Sequence, residues 1–210
     1  MLKKSFLFLA LVTLLALWLT CPVFAANVSA DGNGLLVILL PEGENTPSSF
    51  FYLSPNSSEG SLTLTQLPVD RKLELPDYKN HHGGIGSLAT GYALGNSWGD
   101  TEGAIELTVA AVEKSFGIVP AHTLVVPAGA VDDILDKIFV ELHQLSPEPL
   151  EALCRTLVGI QLLDNSAQED LAALLAAKCQ HDADENTIST ALAELMQEAS
   201  KYKIASSSLS

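Results

Sequence analysis

A chain of 210 residues, 48% hydrophobic and 17% charged, has enough apolar material for one ordinary domain and is too apolar to be disordered by composition. Its net charge of -14 argues against nucleic acid as a partner and against strong binding to anionic membrane surfaces, since both repel such a chain. The simplest meaning of that charge is solubility.

Taken in order, residues 1–25 read as a targeting segment. Lys3 and Lys4 form a positive start, Phe6 to Leu19 is apolar and uncharged, and Pro22 breaks the run. Val23-Phe24-Ala25 then places small residues where a signal peptidase reads them. The expected product begins at Ala26, is secreted and lies outside the cytoplasm. The alternative is a membrane anchor over residues 5–26, which is long enough to span a bilayer. Cys21 follows Trp18-Leu19-Thr20 and so lacks the small neighbour of a lipid-attachment cysteine. Residues 26–33 read as a polar linker.

Leu35 to Leu40 is a continuous apolar run of strand length, closed by Pro41 and Gly43. A run without alternation suits a central strand covered on both faces. Residues 49–54 and 61–67 are expected to form a hairpin beside it, across the turn cluster Asn56-Ser57-Ser58-Glu59-Gly60. Leu62 and Leu64 alternate, and Leu67 falls out of phase. Arg71 to Leu75 reads as a short fourth strand ended by Pro76. The loop DYKNHHGGIG and the segment SLATGYALG read as a glycine-rich crossing. A helix is expected from Asp100, capped by Asp100 or Thr101, with Glu102 in its first turn. Ile105, Val109, Val112 and Phe116 mark its buried face, and Gly117 suits its left-handed end. His122 to Val126 follows as a strand, so strand–helix–strand order predicts a parallel crossover.

Val131, Ile134, Leu135, Ile138 and Leu142 mark a further amphipathic helix. From Ser146 onward the pattern is helical throughout. Ser146 caps with Pro147 at the first helical position. Ser166 and Glu169 form a capping box, Asn186 caps a last helix, and the tail Ser206 to Ser210 frays. The expected fold is therefore α/β, an α-β-α sandwich with a mixed central sheet over residues 34–145. A helical C-terminal region follows over residues 146–210.

Three constellations carry possible chemistry. Gly95-Asn96-Ser97-Trp98-Gly99 fits G-x-S-x-G, the strand-to-helix turn of a serine hydrolase. A triad would need Ser97, one of Asp132, Asp133 and Asp136, and His143 or His181; the simpler reading is a glycine-rich loop entering a helix. His81 and His82 stand near Asp77, but adjacent histidines point apart on an extended chain, so no metal site is expected. Asp182-Ala183-Asp184-Glu185-Asn186 begins like a calcium loop, yet Thr187 and Ala193 occupy the positions that need Gly and Glu. Cys154 and Cys179 are the two cysteines beyond the targeting segment. Outside the cytoplasm they can bridge two consecutive helices or remain buried thiols.

The segments LLVILLP, FFYLSPN, SLTLTQLPVDRKLELP, SLATGYALG, IELTVAAVEKSFGIVPAHTLVVP and AVDDILDKI occur in an order and spacing that resembles the LytR-CpsA-Psr (LCP) family. The resemblance covers about residues 34–140. Members of this family are extracytoplasmic enzymes that move glycopolymers from a polyprenyl pyrophosphate carrier to the bacterial cell wall. The resemblance implies a cell-envelope protein whose partner is a polyprenyl lipid or an envelope protein. Mapped onto this chain, it implies Asp70 and Arg71 as the catalytic positions and Tyr92 as a ligand-binding position. It implies no cofactor unless transfer persists, when magnesium is implied. The departures lie at charged positions. The first polar loop, PEGENTPSS, lacks the family's Asp and Arg. The family's Arg after the proline falls on Val69, and its Lys and Asn fall on Ser87 and Ala89. After residue 140 the one Arg is Arg155. Offsetting a pyrophosphate needs Arg, Lys or a carboxylate-held metal. The resulting expectation is a non-catalytic relative; an active phosphotransferase using Asp70 and Arg71 is the alternative.

Overall fold

A computed structural model describes residues 34–41, 43–56, 59–127, 130, 160–161, 163–199, 201 and 203–208. The expected targeting segment, the helices expected over residues 131–142 and from Ser146, and Cys154 lie outside the described residues.

The continuous apolar run forms β1 (Leu35–Leu40). It pairs in antiparallel register with β2 (Ser49–Asn56), which pairs likewise with β3 (Ser61–Leu67). On its other side β1 pairs in parallel with β6 (His122–Pro127), as the crossover order requires. Between them come a two-stranded hairpin, β4 (Leu73–Glu74) with β5 (Ile85–Gly86), and the helix α1 (Leu88–Phe116). After the crossover come α2 (Asn165–Lys178), β7 (Gln180–His181), α3 (Glu185–Ala199) and β8 (Lys203–Ser208). The main sheet has the order β7-β6-β1-β2-β3-β8 and is mixed.

Two cores flank this sheet. Alternate residues of each strand point to opposite faces. Leu36, Ile38, Phe50, Tyr52 and Val125 pack against α1, with Leu88, Ile105 and Val112 from the helix. Leu35, Val37, Phe51, Leu53, Leu62, Leu64 and Leu124 pack on the other face against Leu171, Ile188, Leu192 and Met196 of α2 and α3. The out-of-phase Leu67 belongs to the α1 side. The architecture is an α-β-α sandwich, as expected.

The structure departs from expectation in three places. First, the segment SLATGYALG is helical, not a crossing. Ser87 caps α1 by accepting from the Thr90 amide at 3.2 Å, and Leu88, Ala89 and Tyr92 are buried. Glycine lowers helix propensity, but burial of that face outweighs it. The glycines serve close packing instead. Helix α1 breaks at Gly99 and Asp100, and a Cβ at Gly95 would overlap the Gly103 carbonyl oxygen across the bend. Asp100 takes φ 56°, ψ -153°, a region that suits glycine. Gly117 ends the helix in the left-handed conformation, its amide reaching Glu113 O at 2.9 Å.

Second, the caps sit elsewhere. Asp164 accepts from the Ala167 amide at 2.9 Å and starts α2 in place of Ser166, and Asp184 accepts from the Thr187 amide at 3.0 Å in place of Asn186. Third, the C-terminal region is not helical throughout. β7 joins the edge of β6, and Lys203–Ser208 lies parallel to β3 instead of fraying. Its sequence, KIASSS, has no apolar alternation. An unpaired sheet edge offers backbone donors and acceptors to any extended segment, whatever its side chains.

The bend in α1 yields a stability test. Asp100→Gly is expected to stabilise the fold by about 1 kcal/mol by releasing the positive φ. Gly95→Ala is expected to destabilise it by about 2 kcal/mol through overlap with backbone. Urea unfolding of both variants checks the pair; equal and small effects would remove the close approach as a determinant of the bend.

Candidate functional site

The chain leaves β3 through Pro68 and Val69. Val69 turns inward against the α1-side core, while Asp70 and Arg71 are exposed. The Arg71 guanidinium lies 5.9 Å from the centre of the Phe116 ring, at the end of α1. Tyr92 is 2% exposed, and burial pushes its phenol up from the ordinary value. A ligand would meet Tyr92 only from within the α1-side layer. Asp70 and Arg71 thus share an exposed exit, and Tyr92 is a core residue.

Beyond Arg71 the hairpin β4–β5 frames an open groove of about 850 Å³, lined by Lys72, Glu74, Pro76, Asp77, Ile85 and Lys114 among others. Lys114 Nζ is 2.9 Å from Glu74 Oε1. Lys79 lies over the Tyr78 ring at 4.8 Å. Asp77 Oδ1 accepts from the Gly83 amide at 2.7 Å, and its Oδ2 is 3.6 Å from His82 Nδ1. The Gly83 hydrogen bond, helped by His82, holds the Asp77 carboxyl below its usual value. His81 stacks on Trp98 with ring centres 4.5 Å apart and planes 4° from parallel. The two histidines thus have different partners, Trp98 for His81 and Asp77 for His82. The stack itself has no signature in the sequence, because its partners are far apart along the chain.

A second cavity, of about 410 Å³, opens at the edge where β1 and β6 begin, between the sheet and α3. Leu35, Pro55, Ile188, Leu192 and Leu195 contribute its apolar lining, and Lys201 also lines it. β1, β3 and β6 run in the same direction, so Asp70, after the end of β3, follows from the opposite edge of the sheet.

The other expected constellations fall into structural places. Ser97 is exposed inside α1, well past its N-cap, so it is not on a strand-to-helix turn. Both ring nitrogens of His181 face backbone carbonyls, and His143 lies outside the described residues. Cys179 is a free, buried thiol, pushed up to about 12 by burial. Among the described residues no group of three or more His, Cys, Asp and Glu side chains is placed to hold a metal. Among the described residues no helix is long and apolar enough to cross a membrane.

No family model matches the chain, and no curated protein matches it. Solved structures do. Protein gbs0355 of Streptococcus agalactiae superposes with a TM-score of 0.63 at 14% identity, over 84% of this chain and 76% of that one. TagV of B. subtilis gives 0.56 at 12% identity, over 82% and 83% of the two chains. TagT bound to LIIa-WTA gives 0.56 at 12%, over 84% and 77%. These neighbours are LytR-CpsA-Psr proteins. The chain has the LCP fold. At such identity the likeness establishes the fold, and the charged positions have to be judged residue by residue. Where the family resemblance sets Arg, Lys and Asn, this LCP fold carries Val69 against the core, Ser87 as a helix cap and Ala89 in the core.

The Asp77 loop gives a pH test. A carboxyl held below its usual value stabilises the fold above about pH 4, and that contribution is lost as pH falls through the lowered value. Asp77→Asn is expected to speed hydrogen exchange at the Gly83 amide near neutral pH and to flatten the loss of protection on acidification. An unchanged exchange profile would mean that the carboxylate does not hold this loop.

Proposed function

We propose that this protein is an exported, cell-envelope-associated LCP-fold protein that binds a polyprenyl lipid and does not transfer glycopolymer. The observation that carries this reading is the use made of three positions. Val69, Ser87 and Ala89 serve the core and a helix start, where the family resemblance calls for groups that hold phosphate. Three of the cations around them have partners: Lys114 with Glu74, Lys79 with the Tyr78 ring and Arg71 with the Phe116 ring, while Lys72 lines the groove. A pyrophosphate brought here would lose its hydration and gain few of the charge-assisted bonds that replace it. An apolar chain needs no such groups, and Leu35, Pro55, Ile188, Leu192 and Leu195 give the cavity beside α3 an apolar wall, with His122, Glu194, Gln197 and Lys201 at its polar part. Export is supported by Lys3, Lys4, the apolar run after them and Val23-Phe24-Ala25.

The test is a transfer assay with a polyprenyl-pyrophosphate glycan donor, a cell-wall glycan acceptor and magnesium. No product is expected from the purified protein. Metal-dependent transfer that disappears in Asp70→Ala would overturn the reading and make the protein an active phosphotransferase.

A further inference from the structure

The floor of the cavity beside α3 is made of core side chains. Leu35 on β1 and Ile188 and Leu192 on α3 line it and are at most 7% exposed. Further along the same layer, Val37, Phe51, Leu64 and Leu124 share one buried cluster with Leu171 and Ala172 of α2. These side chains close the cavity on the side toward the edge that carries Asp70. β1 alone sets the two edges about 20 Å apart, six residues at roughly 3.3 Å each. At the rim, the exposed Lys201 and Glu194 balance in charge, and His122 faces Asp182 at 3.7 Å.

Size limits what can enter. At roughly 30 Å³ per heavy atom, the share one water takes in the liquid, a cavity of about 410 Å³ seats about fourteen atoms. That is close to three five-carbon isoprene units, so a longer polyprenyl chain does not fit whole.

We propose, on the reading of this protein as a polyprenyl-lipid binder, that the cavity seats only the tail end of the chain, about three isoprene units of it, with the head outside. A cavity that stops inside a layer is entered by an end of a chain, because a mid-chain segment would have to double back and fill twice the room. Of the two ends, the head carries a hydroxyl or a phosphate. Set against Leu35, Ile188 and Leu192, that group would lose its water with no partner in exchange. The tail end is hydrocarbon throughout and gains with each carbon buried. The balanced rim suits an uncharged chain passing between Lys201 and Glu194. A lipid held in this way leaves through the mouth at Gly34 and Ala121, on the edge opposite Asp70 and Arg71.

The experiment is calorimetric titration of the purified full chain with prenols of two, three, four and five isoprene units. Affinity is expected to rise about tenfold or more from two units to three, and to stay within about threefold from three units to five. An affinity that does not change from two units to three, or that rises as steeply at every later step, overturns tail-end seating and leaves the protein a lipid binder. Binding of none of the prenols overturns both. A variant locates the site. Ala191 lines the cavity and is half-buried on α3, so a larger side chain there takes up the space at little cost to the core. Ala191→Trp is expected to keep the wild-type urea midpoint and to bind the three-unit prenol about tenfold or more weakly. Unchanged binding in that folded variant overturns the proposal, and the length series decides it without any variant.

Discussion

The double burial of β1 is the constraint from which the rest of this molecule follows. Leu36 and Ile38 are fully buried on one face of the strand, and Leu35 and Val37 are buried on the other. Each such side chain contributes roughly 1.5–3 kcal/mol when removed from water. A strand of this kind needs neighbours on both edges and a layer on both faces. β2 supplies one edge by a direct antiparallel return. The other edge is taken by β6, and a parallel partner obliges the chain to cross over. The crossing element, α1, becomes one covering layer, and α2 with α3 becomes the other.

The crossover also decides what the polar family positions can do here. α1 begins straight after the β4–β5 hairpin, so Ser87 is placed to start a helix and Ala89 to face the core. The helix must then bend within the space above one sheet face. Gly95 and Gly103 permit the bend, and Asp100 bears its backbone cost. The strand exit carries Val69 inward and leaves Asp70 and Arg71 outside. Charge is thus kept at the rim, and the interior layers are apolar.

Strands were legible in the sequence wherever burial leaves a plain pattern. Leu35 to Leu40, the pair Leu62 and Leu64, and the run after His122 each announced themselves, and their order with the helix before β6 was enough to suggest the LCP fold. What escaped depends on groups that pattern does not weigh. The first half of α1 carries three glycines that look like loop residues until the bend places Gly95 against Gly103. β8 forms because β3 has an open edge, and nothing in KIASSS requires it. Asp164 and Asp184 displaced the expected caps because either of two nearby polar residues can start a helix, and tertiary packing selects the register. At the candidate site, Asp70, Arg71 and Tyr92 were legible as positions, whereas their separation into rim and core was not. His181 was legible only as a possible triad member, and its backbone neighbours at Ala176 and Ala183 were not.

The account stands or falls on whether a phosphate contributes to recognition. Calorimetric titration of the purified protein with a short-chain polyprenol, and with its monophosphate of equal length, measures that contribution directly. Both ligands are expected to bind, with affinities within about threefold of each other, if the apolar chain and not the phosphate is what the protein recognises. Binding of neither ligand, or a gain of about tenfold or more from the phosphate, would contradict it.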